Sequence, residues 1–308
     1  MAKEITLIPD ENTEGIRLDK FISTQYDELS RSYIQKLLSD GYIFVNEKTV
    51  KASYIVNEGD NIRLIVPDSI IPDIVPENIP LDIVYEDNDI IIVNKPKNMV
   101  VHPAAGNYSG TLVNALMYHC KDDLSGINGC LRPGIVHRID KDTTGLLVVC
   151  KNDNSHRNVA EQLKNHSITR RYEAICIGSL KEDEGVVDAS IGRSVNDRKK
   201  MAINQRNGKN AVTHYKVLER FNKFSHISCV LETGRTHQIR VHMSSIGHPL
   251  LGDETYGGIR PEFPNLNGQC LHAGVLGLIH PATNEYMEFS APLPEYFEKL
   301  LGILRNGK

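Results

Sequence analysis

The sequence Gly134-Ile-Val-His-Arg-Ile-Asp-Lys-Asp-Thr-Thr-Gly-Leu-Leu-Val-Val-Cys150 ends in a fully apolar run, which predicts a buried β-strand. A Thr-Thr-Gly turn comes directly before that run, so Asp140 is expected at the mouth of a sheet. The local pattern leaves two interpretations open. Asp140 either hydrogen bonds its own backbone in a turn or serves as a catalytic carboxylate.

Short β-branched runs continue on both sides of this strand, whereas helical patterns are few. Because the predicted strands do not alternate with helices, we expect an α+β domain built on a mixed, largely antiparallel sheet flanked by helices and loops. The strands are predicted to begin near residues 82, 90, 145, 172, 212 and 226, and the helices to cover about 111–119, 154–165, 236–246 and 294–304.

A smaller module precedes this domain. Apolar residues recur at helical spacing in 17–22 and 30–38, where Ser30 suits an N-cap and Gly41 suits the end of a helix. Short β-branched runs follow, and then a stretch with four prolines indicates a linker. The predicted organisation is an N-terminal strand or tail at 1–15, an αα-β module at 16–66, a linker at 67–80 and the large domain at 81–308.

The composition is that of an ordinary globular chain. Its 308 residues are 40% hydrophobic and 24% charged, with no apolar run long enough to cross a bilayer and no signal-peptide pattern. Six scattered cysteines without a Cys-x-x-Cys pair indicate reduced thiols and a cytoplasmic protein. Since the net charge is -4, a polyanionic partner has to be bound by local basic patches.

A second unusual cluster follows one of the later strands. Thr233-Gly234 predicts the end of a strand and the beginning of a helix, which places Arg235 at a positive helix end suited to anions. We expect this guanidinium to pair with Asp140. Zinc is an alternative because histidines are frequent here, but His237 and His242 are five residues apart and would diverge on a helix, so no metal site is expected.

Taken together, these motifs resemble the RluA family of pseudouridine synthases, most closely its RluD-like branch, which acts on large-subunit ribosomal RNA. Residues 134–145 are similar to the HRLDxxTSG-like signature of that family, with Ile139 and Thr144 as mild departures. The resemblance runs in family order from about residue 81 to residue 294. The other matching segments are 95–96, 101–106, 111–116, 170–174, 233–242, 247–253, 269–273 and 291–294.

The N-terminal module separately resembles an S4 RNA-binding domain. That resemblance implies that Arg31 and Lys36 contact RNA phosphates, although an ordinary solvated face would show the same pattern. Residues 193–209 carry six positive charges against one acid, and in an acidic chain they are expected to form a loop or hairpin along the RNA backbone. The residues predicted to make that contact are Arg198, Lys199 and Lys200.

The resemblance implies an isomerase that converts uridine to pseudouridine in RNA without a cofactor. Asp140 is then the essential carboxylate, acting by covalent attack or by removing a ribose proton, with Arg235 as the cation that keeps it ionised. Tyr172 is expected to pack on the target base, and Arg138 to fill the gap left by the extruded nucleotide. The remaining predicted RNA contacts are His137, Thr143, His237 and Arg240.

Two further interpretations stay open. Asp140-Lys-Asp142-Thr143 also fits the Asp-x-Asp-x-Thr pattern of magnesium-dependent phosphatases of the haloacid dehalogenase type, but that class needs strands that alternate with helices. The other is an RNA-binding assembly factor without activity, and the set of Asp140, Tyr172 and Arg235 argues against it. The expected partner is RNA within the large ribosomal subunit or its precursor, with no membrane and with the protein as a monomer.

Overall fold

The computed structural model describes residues 3–26, 29, 31–66, 74–103, 107–121, 123–127, 132–195, 197, 200–263 and 266–307, without the side chains of 3, 32, 33 and 36. The chain divides into two compact units, Met1–Pro72 and Asp73–Lys308. Within the described ranges, no helix is both long and apolar enough to cross a membrane.

The small unit packs two helices on an antiparallel sheet, which confirms the predicted αα-β module. Leu18, Ile22 and Ile34 are fully buried between the helices and the sheet. Gly41, at φ 78°, follows the second helix as predicted, whereas Ser30 lies outside the described residues. The elements are β1 (Lys3–Leu7), α1 (Leu18–Gln25), α2 (Arg31–Ser39), β2 (Ile43–Val45), β3 (Lys48–Thr49) and β4 (Ile62–Val66), with sheet order β1-β4-β2-β3.

The large unit is built on a nine-stranded sheet. Its first half contains β5 (Ile83–Glu86), β6 (Ile90–Lys95), α3 (Leu112–Cys120), β7 (Thr144–Cys150), α4 (Asp153–Lys164), β8 (Thr169–Ile177) and β9 (Glu184–Asp188). Its second half contains β10 (Ile191–Arg193), β11 (Met201–Ile203), β12 (Val212–Arg220), β13 (Phe224–Leu231), α5 (Gln238–Ser245), β14 (Leu271–Ile279), β15 (Tyr286–Ser290) and α6 (Glu295–Asn306).

The strand order of this sheet is β5-β6-β7-β14-β8-β13-β12-β9, with β15 on β14, while β10 and β11 form a separate hairpin. Among the described strands, only β7 and β14 pair in parallel. The predicted α+β class with a mixed, largely antiparallel sheet is therefore confirmed.

The parallel contact between β7 and β14 explains the glycine of the Thr-Thr-Gly turn. Gly145 has φ 111°, and a Cβ atom there would lie 2.3 Å from the carbonyl oxygen of Ala273. Only glycine allows the two strands to approach this closely. The loop before β7 runs back along that strand, since the amide of Cys150 donates to the carbonyl of Gly134 at 2.9 Å.

Part of the predicted linker lies on the large unit. Ile74 is buried in the main core of this unit. The side-chain amide of Asn114 donates to the carbonyl of Val75 at 2.9 Å, and the amide of Glu77 donates to the carbonyl of Asn114 at 2.9 Å. Residues 74–77 are thus fastened to α3, while residues 67–73 lie outside the described residues.

Candidate active site

A cleft of about 530 Å³ in the large unit contains the predicted catalytic carboxylate. This volume is in the range of sites that bind small molecules. Asp140 is the only carboxylate among the described lining residues. It shares the cleft with six positively charged side chains, so this local surface is basic although the whole chain is acidic. These are Arg132, Arg138, Lys164, Arg170, Arg235 and Arg240.

Asp140 pairs with Arg240, in the first turn of α5. Nη1 of Arg240 donates to Oδ2 of Asp140 at 2.9 Å, and the Asp140 side chain keeps 18% of its surface exposed. Two further bonds, from Nε at 2.6 Å and from Nη2 at 2.9 Å, hold the same guanidinium on Asp253, which is fully buried. Burial alone would lower the pKa of Arg240, but the two carboxylates raise it above its ordinary value. Arg240 is therefore a fixed cation beside Asp140.

The predicted pairing of Arg235 with Asp140 was wrong. Nε of Arg235 donates to the carbonyl of Asn210 at 2.9 Å, although the side chain does line the cleft. The Arg235 side chain is held instead on the segment just before β12, and α5 begins at Gln238, two residues later than predicted, after His237 with φ 57°. Arg235 precedes the helix, and Arg240 in its first turn reaches Asp140.

His237 lies near Oδ1 of Asp140, the oxygen that Arg240 does not bond. Its Nε2 is 3.8 Å from Oδ1 of Asp140, and its Nδ1 hydrogen bonds the Tyr256 hydroxyl at 2.9 Å. Burial lowers the pKa of His237, while the charge of Asp140 acts in the opposite direction. The imidazole is therefore neutral near pH 7, and Arg240 supplies the positive charge next to Asp140.

Tyr172 and Arg170 reach the cleft from the same face of β8, since residues two apart in a strand point the same way. Tyr172 is 7% exposed, and burial raises the pKa of its hydroxyl, which stays protonated at neutral pH. Nη2 of Arg170 donates to the carbonyl of Glu232 at 3.1 Å. A Cβ atom at Gly234 would lie 2.5 Å from Nη1 of Arg170. The sequence reasoning missed Arg170, and its spacing from Tyr172 was the available signal.

The other predicted residues of this loop divide into two kinds. His137 accepts the amide of Val148 through Nε2 at 3.1 Å, and burial with the nearby Arg170 charge lowers its pKa to about 3. Thr143 accepts a hydrogen bond from Gln269 Nε2 at 2.9 Å. Both side chains line the cleft but also hold the fold together. Arg138 lines the cleft and is exposed, so its guanidinium is accessible to a bound molecule.

Lys95 connects the loop that carries Asp140 to the sheet, a role that the sequence analysis did not assign. Its side chain is fully buried, and Nζ donates to the carbonyls of Pro96 at 2.7 Å, Met99 at 2.9 Å and Lys141 at 2.9 Å. Burial lowers its pKa to about 7, although the charges of Asp142 and Asp140 oppose that shift. The bond to Lys141 ties the residue after Asp140 to β6.

The remaining predicted RNA contacts lie elsewhere. Arg31 pairs with Asp19 at 3.0 Å in the small unit. Lys200 precedes β11 in the predicted hairpin, where Nζ donates to the carbonyl of Thr255 at 3.0 Å. It is not among the described residues that line the cleft. Arg198, Lys199 and the side chain of Lys36 lie outside the described part of the chain.

The metal-dependent alternatives find no support in this geometry. Asp142 does not line the Asp140 cleft but a separate cavity beside Asp253, so the two acids of the Asp-x-Asp-x-Thr pattern face different spaces. His237 and His242 belong to no group of potential metal ligands in the described ranges. The one such group there, Asp87, Asp89 and His280, lies away from the cleft lining.

The arrangement therefore offers one carboxylate on a fixed arginine, a buried tyrosine ring and a wall with several positive charges. Such a cleft suits a flat base attached to a phosphate backbone, because arginines neutralise phosphates and can stack on bases. Its apolar surfaces come from Ile135, Ile139, Leu231, Ile239 and Leu271.

Comparisons with known proteins show which family this chain belongs to. A family model described as RNA pseudouridylate synthase matches residues 89–245, and one described as an S4 domain matches residues 16–62. An uncharacterized RNA pseudouridine synthase of Bacillus subtilis is 52% identical over 98% of this chain and 99% of its own length.

Two further similarities are informative. The ribosomal large subunit pseudouridine synthase D of Zymomonas mobilis is 45% identical over 98% of each chain. The solved structure of human RNA pseudouridylate synthase domain containing 4 superposes with a TM-score of 0.57 at 27% identity, over 73% of this chain and 93% of that one. The resemblance noted from the motifs is thus confirmed, and the chain belongs to the RNA pseudouridylate synthase family, whose members are RNA isomerases.

Proposed function

We propose that this protein isomerises uridines in large-subunit ribosomal RNA and that Asp140 carries out the chemistry. The observation that supports this most strongly is the site itself. One carboxylate, paired with a fixed arginine, faces a cleft whose other charged groups in the described residues are all cationic or histidine. A phosphodiester chain enters such a cleft favourably, and only Asp140 there offers a basic oxygen.

The reaction exchanges one bond of the nucleoside for another. The bond from N1 of uracil to C1′ of ribose breaks, the uracil turns in place, and C5 bonds to C1′. The proton on C5 is then lost and N1 regains a proton, so the product is an isomer and no redox step occurs. Two routes begin at the same ionised oxygen: Asp140 attacks C1′ covalently, or it removes a ribose proton to give a glycal.

Both routes need Asp140 to be ionised and accessible. Arg240 places a positive charge on Oδ2 through its hydrogen bond, and Asp253 keeps the guanidinium in place. Oδ1 lies 3.8 Å from Nε2 of His237, whose imidazole is neutral, and Arg240 does not bond this oxygen. This oxygen is therefore the one that meets the nucleoside.

Tyr172 and Arg138 complete the binding of an extruded nucleotide. The Tyr172 hydroxyl has no hydrogen-bond partner among the described residues, and its ring forms part of the cleft wall, where a uracil can pack on it. A uridine inside folded RNA has to leave its stack first, at a cost of a few kcal/mol. The exposed Arg138, two residues before Asp140, is placed to occupy the space left behind.

The choice of large-subunit ribosomal RNA rests on relatives. Proteins from Zymomonas mobilis and Pseudomonas aeruginosa that are named for that substrate are 45% identical and match nearly the whole chain, S4 region included. In this proposal the S4 unit and the basic hairpin are additional RNA contacts. The proposal places the protein in the cytoplasm as a monomer.

The test is to map pseudouridine across total RNA from cells with and without this protein. We expect specific uridines of large-subunit ribosomal RNA to lose their modification when the gene is deleted, and to regain it when the intact gene is restored. Unchanged pseudouridine at every position of that RNA, with losses in transfer RNA instead, would contradict the assigned substrate.

A further inference from the structure

Arg170 differs from Lys95 and Arg240, the other buried lysine and arginine side chains in the described ranges, in how its charge is balanced. Lys95 donates three hydrogen bonds to carbonyls, and Arg240 donates three to two carboxylates. Arg170 is 7% exposed, yet its guanidinium donates one bond among the described residues, from Nη2 to the carbonyl of Glu232. A buried charge is costly without an anion beside it, so this guanidinium suits a negative group from outside the fold.

Nη1 of Arg170 is the nitrogen that such a group can reach. Nε is fully buried without a partner, whereas Nη1, which also has no partner in the described part of the chain, is not fully buried. Arg170 lines the cleft together with Gly234 and Arg235, and Gly234 is exposed. A molecule in the cleft can therefore approach Nη1 along the exposed glycine.

The position of this guanidinium explains the glycine at position 234. A Cβ atom there would lie 2.5 Å from Nη1 of Arg170, and the Arg170 guanidinium is the one group that it would meet within 4 Å in the described structure. Gly234 does not have a left-handed φ, so its turn does not require glycine. The missing side chain instead leaves room for Nη1 at the wall of the cleft.

Arg235 brings a second positive charge to the same wall. Its Nε donates to the carbonyl of Asn210, and neither Arg235 nor Arg170 has a carboxylate partner among the described residues. Burial lowers the pKa of Arg170, and the charge of Arg235 lowers it further, because the two guanidinium groups repel each other. Both arginines remain charged at neutral pH, so an anion that contacts both would offset this repulsion.

We propose that Arg170 and Arg235, with Gly234 beside them, form a subsite that binds one phosphate of the RNA backbone next to the target uridine. The phosphate is the group of RNA that is ionised before the reaction begins. Uracil becomes negative only while its bond to C1′ is broken, so it does not balance two permanent charges in the bound state. This inference rests on the proposed function, since it takes RNA to be the molecule in the cleft.

Three substitutions and one control test the subsite. Arg170→Gln and Arg235→Gln each remove one charge. Gly234→Ala adds a methyl group that meets only the flexible end of Arg170, so the fold should be kept while Nη1 is displaced. The matched control is Arg171→Gln, because Arg171 is the next residue of β8, is exposed and does not line the cleft.

The measurements are Kd, kcat and KM on the ribosomal RNA fragment that pseudouridine mapping identifies, with Kd repeated at several salt concentrations. We expect Kd to rise about 10-fold for Arg170→Gln, as for one lost charged hydrogen bond, and less for Arg235→Gln and Gly234→Ala. At saturating RNA, kcat should stay within about 3-fold of the wild-type value, since the contact is already made in the bound state.

Salt dependence identifies the group that is bound. The double variant, Arg170→Gln with Arg235→Gln, should reduce the slope of log Kd against log salt by about 1, and Arg171→Gln should leave it unchanged. A lower kcat for Arg170→Gln with unchanged Kd and slope would overturn the phosphate assignment and place this residue on the departing uracil instead.

Neutral linkages show whether the two arginines share one phosphate. A single methylphosphonate removes the charge of one phosphate in the RNA. At one linkage beside the target uridine, the loss of affinity should be largest for the wild-type protein, smaller for each single variant and absent for the double variant. The inference is overturned if every linkage affects all four proteins equally.

Urea unfolding separates this role from a structural one. Arg170→Met should unfold at or above the wild-type urea concentration, because it removes a buried charge that no described carboxylate balances. A clear fall in that concentration, with normal RNA binding, would show that Arg170 serves the fold alone. A wild-type protein that binds this RNA without isomerising it would contradict the proposed function instead, and the comparison of Kd values would still test the subsite.

Discussion

Each unit contains an aspartate that is paired with arginine, and the two clusters are built differently. Asp19, in α1, is fully buried and accepts hydrogen bonds on both oxygens from Arg17, Arg31 and Gln35. Asp140 is 18% exposed and accepts a bond from Arg240 on Oδ2, while its other oxygen borders the cleft.

The two ion pairs also differ in which partner is the more buried. Around Asp19 the carboxylate is inside and its arginines are about half exposed, at 47% and 51%. Around Asp140 the arginine is 9% exposed and is held from behind by the buried Asp253. Asp19, whose two oxygens are both hydrogen bonded, joins two helices. Asp140 has one oxygen bonded to a fixed arginine and the other at the cleft, so it is available for chemistry. The difference predicts that stability and activity respond to different substitutions.

Ranked by free energy of unfolding, the largest effect is expected from Arg240→Met. The change leaves Asp253 buried without its cation, which costs about 3–5 kcal/mol. It also removes the partner of Asp140, so kcat should fall by about 10²-fold or more. Urea unfolding and turnover on the same sample test this. Arg31→Met is the matched control, with an expected loss below about 1 kcal/mol because its ion pair is half exposed. Equal losses for both variants would contradict the distinction drawn here.

Asp19→Asn should destabilise the small unit by about 1–3 kcal/mol, because charged hydrogen bonds between α1 and α2 are weakened. Burial raises the pKa of Asp19, but its hydrogen bonds lower it more, so the folded value lies below the ordinary one. Its contribution is therefore complete above about pH 4 and declines as pH falls through the folded value. Hydrogen exchange in α1 and in β8 separates the two units. An effect of equal size in β8 would show that Asp19 does not act locally.

Lys95→Met should reduce stability by about 1–3 kcal/mol, because three carbonyls lose their donor, and should lower activity through the Lys141 contact. The pKa of Lys95 is about 7 in the fold and its ordinary value is 10.5, so between these values the unfolded chain binds more protons. Wild-type stability should therefore rise with pH from about 7 to 10 relative to the variant. Urea unfolding at pH 6.5 and 9.5 measures this, and a difference that does not change with pH would show that burial does not lower the pKa of Lys95.

Sequence patterns predicted much of the fold because most elements carry a strong local signal. The apolar run of β7 and the helical spacing of α4 are examples. β14 was missed although it lies near the centre of the sheet. Its sequence, Leu-His-Ala-Gly-Val-Leu-Gly-Leu-Ile, contains two glycines and does not alternate, because β14 is buried over almost its whole length. Nothing local distinguishes such a run from a loop or a buried helix.

The sequence predicted several residues of the site correctly but not the contacts between them. Asp140, Tyr172 and Arg235 do line one cleft, as the motifs indicated. The error in the ion pair concerned side-chain direction, because Arg235 bonds the carbonyl of Asn210 and Arg240 on α5 bonds Asp140, a difference that the spacing of the motif does not contain. The role of Lys95 depends on its burial and on its bond to the carbonyl of Lys141, 46 positions away in the sequence, which a local pattern does not contain.

The most direct test of the account is Asp140→Asn, measured for RNA binding, stability and isomerisation in one preparation, with Asp142→Asn as the control outside the cleft. We predict that Asp140→Asn binds the ribosomal RNA fragment with nearly the wild-type Kd, unfolds at nearly the same urea concentration and forms no detectable pseudouridine. Asp142→Asn should retain most of the activity. Pseudouridine formation by Asp140→Asn at the wild-type rate would contradict the central claim that this carboxylate performs the reaction.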